Sequence, residues 1–181
     1  MKRPSGIVIV FALTCVVVLG SGMAGYIEAG LGEGEHWIST AKGLLAPWLT
    51  AAVLSAAIVT MHAYSCHAVF IEYLDCDLSN KRLVVGMLAL LLVHAAEIQI
   101  FGLGIYSYAM LTGEQLGGQS QERLIDYLYF SYATYTSLGL GDIYPEESIR
   151  LIVGIEALTG LLMIGWSASM TVVLFRREWF S

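Results

Sequence analysis

The chain has 181 residues, 57% of them hydrophobic and 13% charged, with a net charge of −6. Soluble domains carry about 25% charged residues, so this composition cannot coat a water-facing surface. It excludes an ordinary soluble globule, a disordered chain and a disulfide scaffold, and the acidic balance without a basic stripe excludes nucleic acid as a partner. What remains is an integral membrane protein surrounded by bilayer lipid.

Four apolar blocks stand out, at residues 7–27, 44–71, 83–111 and 149–175. Each has the length of about 20 residues that the hydrocarbon core requires of a helix. Lys2 and Arg3 ahead of the first block resemble a secretory leader, but the apolar run is long for one, so it is read as a retained span. A fifth block, 124–140, is too short and too polar to span. Such a segment re-enters the membrane or lies at its interface. The expected fold is therefore an all-α membrane protein with four transmembrane helices and a re-entrant segment.

Charge fixes the expected orientation. Lys2, Arg3, Lys81, Arg82, Arg176 and Arg177 fall on one side, and Lys42, Arg123 and Arg150 on the other. The side richer in Lys and Arg is cytoplasmic, which places both termini in the cytoplasm. On this topology Glu28, Glu33, Glu35, Glu114, Glu122, Asp126, Asp142, Glu146 and Glu147 line the outside. Such an acidic rim concentrates cations, more so at low salt.

The stretch 129–145, YFSYATYTSLGLGDIYP, carries the chemistry. Leu124–Tyr135 has neither Gly nor Pro and predicts a short helix. Thr136, Ser137, Leu138, Gly139, Leu140, Gly141 and Asp142 follow, with glycine at alternate positions. Alternating glycines admit backbone angles that side chains forbid, so successive carbonyls can point the same way. A ring of such segments replaces the water shell of a cation with oxygens. The Ser137 hydroxyl adds one more, and the preceding helix aims its partially negative end at the ion.

These residues resemble the pore loop of tetrameric potassium channels of the bacterial pore-domain type, whose filter reads TVGYG followed by Asp. Ser137-Leu138-Gly139-Leu140-Gly141 align with the five filter residues, with Thr136 before them and Asp142 and Pro145 after. The resemblance implies a homotetramer with K+ ions in its filter and no organic cofactor. It implies a potassium-channel-like pore domain over 83–181: outer helix 83–111, pore helix about 124–135, filter 136–142 and inner helix 149–175. Gly160, with Gly165 as a second option, matches the gating hinge of the inner helix. Residues 1–82 then supply two peripheral helices. The implied function is potassium-selective conduction through a multi-pass cell-membrane protein of bacterial inner-membrane type. Ser137 in place of Thr, Leu138 in place of Val, and Leu140 in place of Tyr depart from the pattern. Leu140 removes a hydroxyl that tethers the filter, which keeps open a weakly selective or non-selective monovalent cation channel of the same architecture. A pore-helix glutamate found in some bacterial channels is here Ala133.

Ionisable residues within spans default to functional candidates. His94 and Glu97 share a helical face in the third block, and Glu156 lies in the fourth. They are candidates for pH sensing or for supporting the filter. His62, Cys66 and His67, with Cys76 in the next loop, are candidate metal ligands near the cytoplasmic end of the second block. Bis-histidine haem is disfavoured, because His94 reads as mid-span and His62 and His67 as near the membrane edge. No nucleophile–base pair suggests an enzyme, and the Gly-rich stretch follows a helix rather than a strand, so it is not a phosphate loop.

The first two blocks contain no Arg or Lys. A charge crossing the membrane field is worth about 2.3 kcal/mol per 100 mV, so steep voltage gating needs several such charges. Steady-state open probability of the purified protein in planar bilayers is expected to change only weakly with potential; a steep dependence would refute this.

Overall fold

A computed structural model describes residues 36–74 and 80–179. The first apolar block, and Cys76 of the candidate metal set, lie outside the described residues. The elements in chain order are α1 (His36–Leu74), α2 (Asn80–Thr112), β1 (Leu116–Gly118), α3 (Leu124–Tyr135), β2 (Ile143–Pro145) and α4 (Ile149–Trp179). Among the described residues, three stretches are long and apolar enough to cross a membrane: Leu45–Val69, Val84–Thr112 and Ile149–Val173. They coincide with the second, third and fourth apolar blocks. The chain divides into two compact units, 1–47 and 48–181. The described part of the first is the opening of α1, which ends at Pro47, a residue with no amide hydrogen for the helix ladder. The second unit holds everything that follows.

Local signals end and start the helices of this unit. Gly113 closes α2 in the left-handed region at φ 79°, its N–H donating to the carbonyl of Ala109 at 2.8 Å. A Cβ there would meet nothing within 4 Å, so the backbone angle alone calls for glycine. Helix α3 is capped by Asp126, whose Oδ2 accepts the N–H groups of Gln121 at 2.9 Å and Arg123 at 3.1 Å. Burial opposes ionisation of this carboxyl. The amide of Gln121, the Arg123 guanidinium and the Arg123 amide outweigh it and hold its pKa below the ordinary carboxylate range. Glu122 accepts from the phenol of Tyr127 and from the Ser120 hydroxyl at 2.9 Å. Glu114 reaches across the chain to cap α4, accepting from the amides of Ser148 at 3.1 Å and Ile149 at 3.2 Å and from the Ser148 hydroxyl at 2.6 Å. Three acids expected on an open outer rim therefore serve as internal acceptors at helix starts and turns, where helix dipoles favour negative charge.

The all-α expectation misses one feature. Strands β1 and β2 form a two-stranded antiparallel ladder, pairing Leu116 with Pro145, Gly117 with Tyr144 and Gly118 with Ile143. A Cβ on Gly117 would strike the Tyr144 ring, and one on Gly118 the Asp142 carbonyl oxygen. Two adjacent glycines thus let the strands close, and the ladder ties the entrance of α3 to the exit of the loop after it.

Helix packing around α3 rests on other glycines. Gly102 of α2 faces Leu128 and Ser131, with a hypothetical Cβ 2.9 Å from Leu128 Cδ2 and 3.3 Å from Ser131 Oγ. Gly104 receives the Leu54 side chain of α1 in the same way. Ser55 of α1 and Thr159 of α4 share a hydrogen bond at 3.1 Å. Ile58, Ile98, Phe101, Tyr135 and Met163 form a buried core to which α1, α2, α3 and α4 all contribute. Gly160 of α4 lies against the end of α3, where a Cβ would collide with the Tyr135 carbonyl oxygen and crowd its ring. The close approach itself demands glycine at this position.

Two expectations follow from this packing. G160A forces one methyl group against a backbone carbonyl, and overpacking of this kind costs about 1–3 kcal/mol. The variant should show a lowered unfolding midpoint in detergent; an unchanged midpoint with altered gating would favour a pure hinge role. D126N removes a carboxylate whose pKa is depressed on folding, so its stabilisation is present above the unfolded value of about 3.9 and lost as pH falls through the lower folded value. The midpoint gap between wild type and D126N should be open at neutral pH and close on acidification below about pH 4; a gap independent of pH would refute it.

Candidate functional site

The loop 136–142 grows directly out of α3. The amide of Leu138 donates to the carbonyl of Ala133 at 2.8 Å, and that of Ser137 to Thr134 at 2.9 Å. These two bonds make a Schellman closure with Thr136 as C-cap and Ser137 at the left-handed position usually held by glycine. Ser137 sits there at φ 56°. A β-branched threonine would be more strained at such an angle, which gives the serine a structural reason. Beyond it, Gly139 has φ 54° and Gly141 φ 80°, while Leu138 and Leu140 are not left-handed. Residues of alternating hand turn successive carbonyls to one side of the chain. Cβ atoms on Gly139 and Gly141 would meet nothing within 4 Å, so conformation rather than space selects glycine at both.

Both ends of this loop are held. Tyr129 of α3 donates from its phenol to Asp142 Oδ2 at 2.8 Å, and that hydrogen bond raises the Tyr129 pKa. The Asp142 carbonyl accepts the amide of Gln119 at 2.9 Å, extending the β ladder. Between the two anchors the residues are open, with Leu138 65% and Leu140 57% exposed.

Below the loop lies a buried polar network centred on Glu97, which is fully buried. Its Oε1 is 2.8 Å from Nδ1 of His62, and its Oε2 is 3.0 Å from Nδ1 of His94. Tyr135, the last residue of α3, donates to Oε2 at 2.5 Å. Ser167 Oγ closes the network from α4, 3.0 Å from Nε2 of His94 and 3.3 Å from Nε2 of His62. The two imidazoles lie 5.2 Å apart and Trp166 packs 5.5 Å from His62. Charged hydrogen bonds of this type contribute roughly 1.5–3 kcal/mol each. Removing one partner of a buried charged pair costs about 3–5 kcal/mol, because the other is stranded.

This arrangement regroups the residues singled out in the sequence. His94 and Glu97 meet as their spacing suggests. His62 joins them instead of forming a cluster with Cys66 and His67, because α1 turns it inward onto α2. Cys66 is also buried, whereas His67 is exposed. The expected difference in depth between His62 and His94 is likewise corrected: the two rings are level, and the Glu97 carboxylate bonded to both leaves no room for a haem between them. Glu156 is fully buried against α3, facing Ser131, and neither its oxygens nor Ser131 Oγ have a well-formed hydrogen bond among the described residues. Gly165, unlike Gly160, has open space where a Cβ would stand. Four residues take roles that sequence reasoning did not give them. Tyr135 and Ser167 bind the histidine–glutamate pair, Tyr129 fixes Asp142, and Glu114 caps α4. The run of tyrosines in YFSYATY was visible, but which hydroxyl meets which carboxylate depends on the crossing of helices.

Comparison with known proteins gives one finding. Residues 93–177 match the family model described as "Ion channel". No curated protein and no solved structure matches the chain. The matched stretch begins just before His94, takes in α3, the loop and the β2 strand, and runs nearly to the end of α4. Among the described residues three helices are long and apolar enough to cross a membrane, and residues 93–177 are similar to the ion-channel family over just under half of the chain.

Proposed function

We propose that the chain is a potassium channel, conducting K+ through a homotetrameric filter built from residues 136–142. The observation that carries this reading is the alternation of backbone hand at Ser137, Gly139 and Gly141 at the end of a short helix. The carbonyls of Ser137, Leu138, Gly139 and Leu140, with the Ser137 hydroxyl, then form stacked sites in which oxygens replace the water shell of the ion. Repulsion between ions in neighbouring sites keeps binding weak enough for release. One chain supplies one wall, so four copies around an axis are needed, and the exposed Leu138 and Leu140 are the surface such assembly covers. Helix α3 acts as the pore helix, α2 as the outer helix and α4 as the inner helix. Gly160 is committed to packing, which leaves Gly165 as the freer point for the inner helix to bend. The protein sits in the cell membrane with both termini in the cytoplasm.

A second reading, a weakly selective or non-selective monovalent cation channel, draws on Leu140. It has no hydroxyl, so the middle of the filter is tied back only through its two ends, at Ala133 and at Tyr129. Reversal potentials of the protein in planar bilayers under opposed K+ and Na+ gradients separate the two readings. Potassium selectivity shifts the reversal by about 60 mV for each tenfold change in K+ ratio. A reversal near zero with a robust cation current supports the second reading, and the absence of any current overturns both. G141A, which puts a side chain at φ 80° at a cost of about 1–2 kcal/mol, should reduce or abolish the cation current under either.

A further inference from the structure

We propose that His62, His94 and Glu97 form a transition-metal site of the zinc type that fastens the peripheral helix α1 to the ion-channel domain. One ligand atom from each of these residues lies within 4.8 Å of the other two. They come from two helices: His62 from α1, His94 and Glu97 from successive turns of α2. His62 lies outside the stretch 93–177 that matches the ion-channel family, so the site bridges that domain and the preceding helix.

One pair of tautomers, with both Nε2 atoms donating to Ser167, suits a cation at this place. Ser167 Oγ stands within reach of Nε2 on both rings, at 3.0 and 3.3 Å. A hydroxyl carries one hydrogen and two lone pairs, so it can accept from both rings but donate to only one. With both Nε2 atoms as donors to Ser167, both Nδ1 atoms present lone pairs toward the Glu97 carboxylate, at 2.8 and 3.0 Å. Two imidazole lone pairs and a carboxylate converging in a buried place is the donor set of a His2Glu zinc centre, which keeps one position open. Imidazole nitrogen favours zinc and its first-row neighbours over magnesium or calcium. The outer partners also fit: ligand imidazoles donate their second N–H to a fixed acceptor, and ligand carboxylates are themselves hydrogen-bonded. Ser167 fills the first role and the phenol of Tyr135 the second. Through Tyr135 the site touches the residue immediately before the proposed filter.

The test is equilibrium dialysis of the full-length protein in detergent against buffered Zn2+, after chelator treatment. One zinc per chain is expected. H62Q, H94Q and E97Q should each weaken binding at least tenfold, and S167A by roughly 10–100-fold, as for other outer-shell partners. Absence of zinc on correctly assembled wild type would overturn the site and leave a network held by protons alone. Zinc lost with H67Q but retained with H94Q would overturn it as well. Should a variant fail to assemble, X-ray absorption of wild type loaded with Zn2+ decides: a first shell containing two imidazoles supports the site, and a shell without them overturns it.

Discussion

A buried carboxylate has to be surrounded by partners, and that requirement organises this molecule. Glu97 lies at the middle of a membrane-length helix with no exposure, where an unpaired charge would be costly. Its partners arrive from three directions: His62 from α1, His94 from its own helix and Tyr135 from the end of α3. Once these contacts form, the register of all three helices is fixed to within a turn. Ser167 adds α4 to the same set. In a lipid surround, where apolar side chains gain little by leaving the bilayer for one another, polar contacts and close packing carry helix association. The Ile58–Ile98–Phe101–Tyr135–Met163 core sits beside the network and is shaped by it.

Tyr135 is where this constraint reaches the loop. Its ring belongs to the apolar core, its hydroxyl is bonded to Glu97, and its carbonyl lies against Gly160. Thr136 follows directly. The start of the proposed filter is therefore set by a residue gripped on three sides. Its far end is set by Asp142, held by Tyr129 and by the β ladder. Between them positive φ angles at Ser137, Gly139 and Gly141 alternate with residues that are not left-handed.

Acidic side chains are used in two distinct ways. Glu114, Glu122 and Asp126 satisfy helix starts and nearby turn amides and hydroxyls, so they contribute to the shape of the outer loops more than to a field in front of them. Inside the bundle, Glu156 faces Ser131 of α3, so two carboxylates on different helices, Glu97 and Glu156, both lie against α3.

By itself the sequence determined the membrane class, the three described spans, the short helix Leu124–Tyr135 and the alternating glycines of the loop. These are properties of neighbours along the chain: apolar run length against bilayer thickness, the lack of helix breakers, and glycine spacing. The pairing of His94 with Glu97 belongs to the same class, since residues three apart share a helix face. Tertiary structure alone decided the rest. It moved His62 out of a presumed cluster with Cys66 and His67 and onto Glu97, a residue 35 positions away. It turned Glu114 into the cap of a helix that begins 35 residues later, and it made Gly160 a contact between helices. It also paired β1 with β2 across the whole of α3. Each of these depends on which faces of separate helices meet and at what height. No local pattern encodes that, because side-chain periodicity gives the direction of a residue around its own axis but not the identity of what lies opposite.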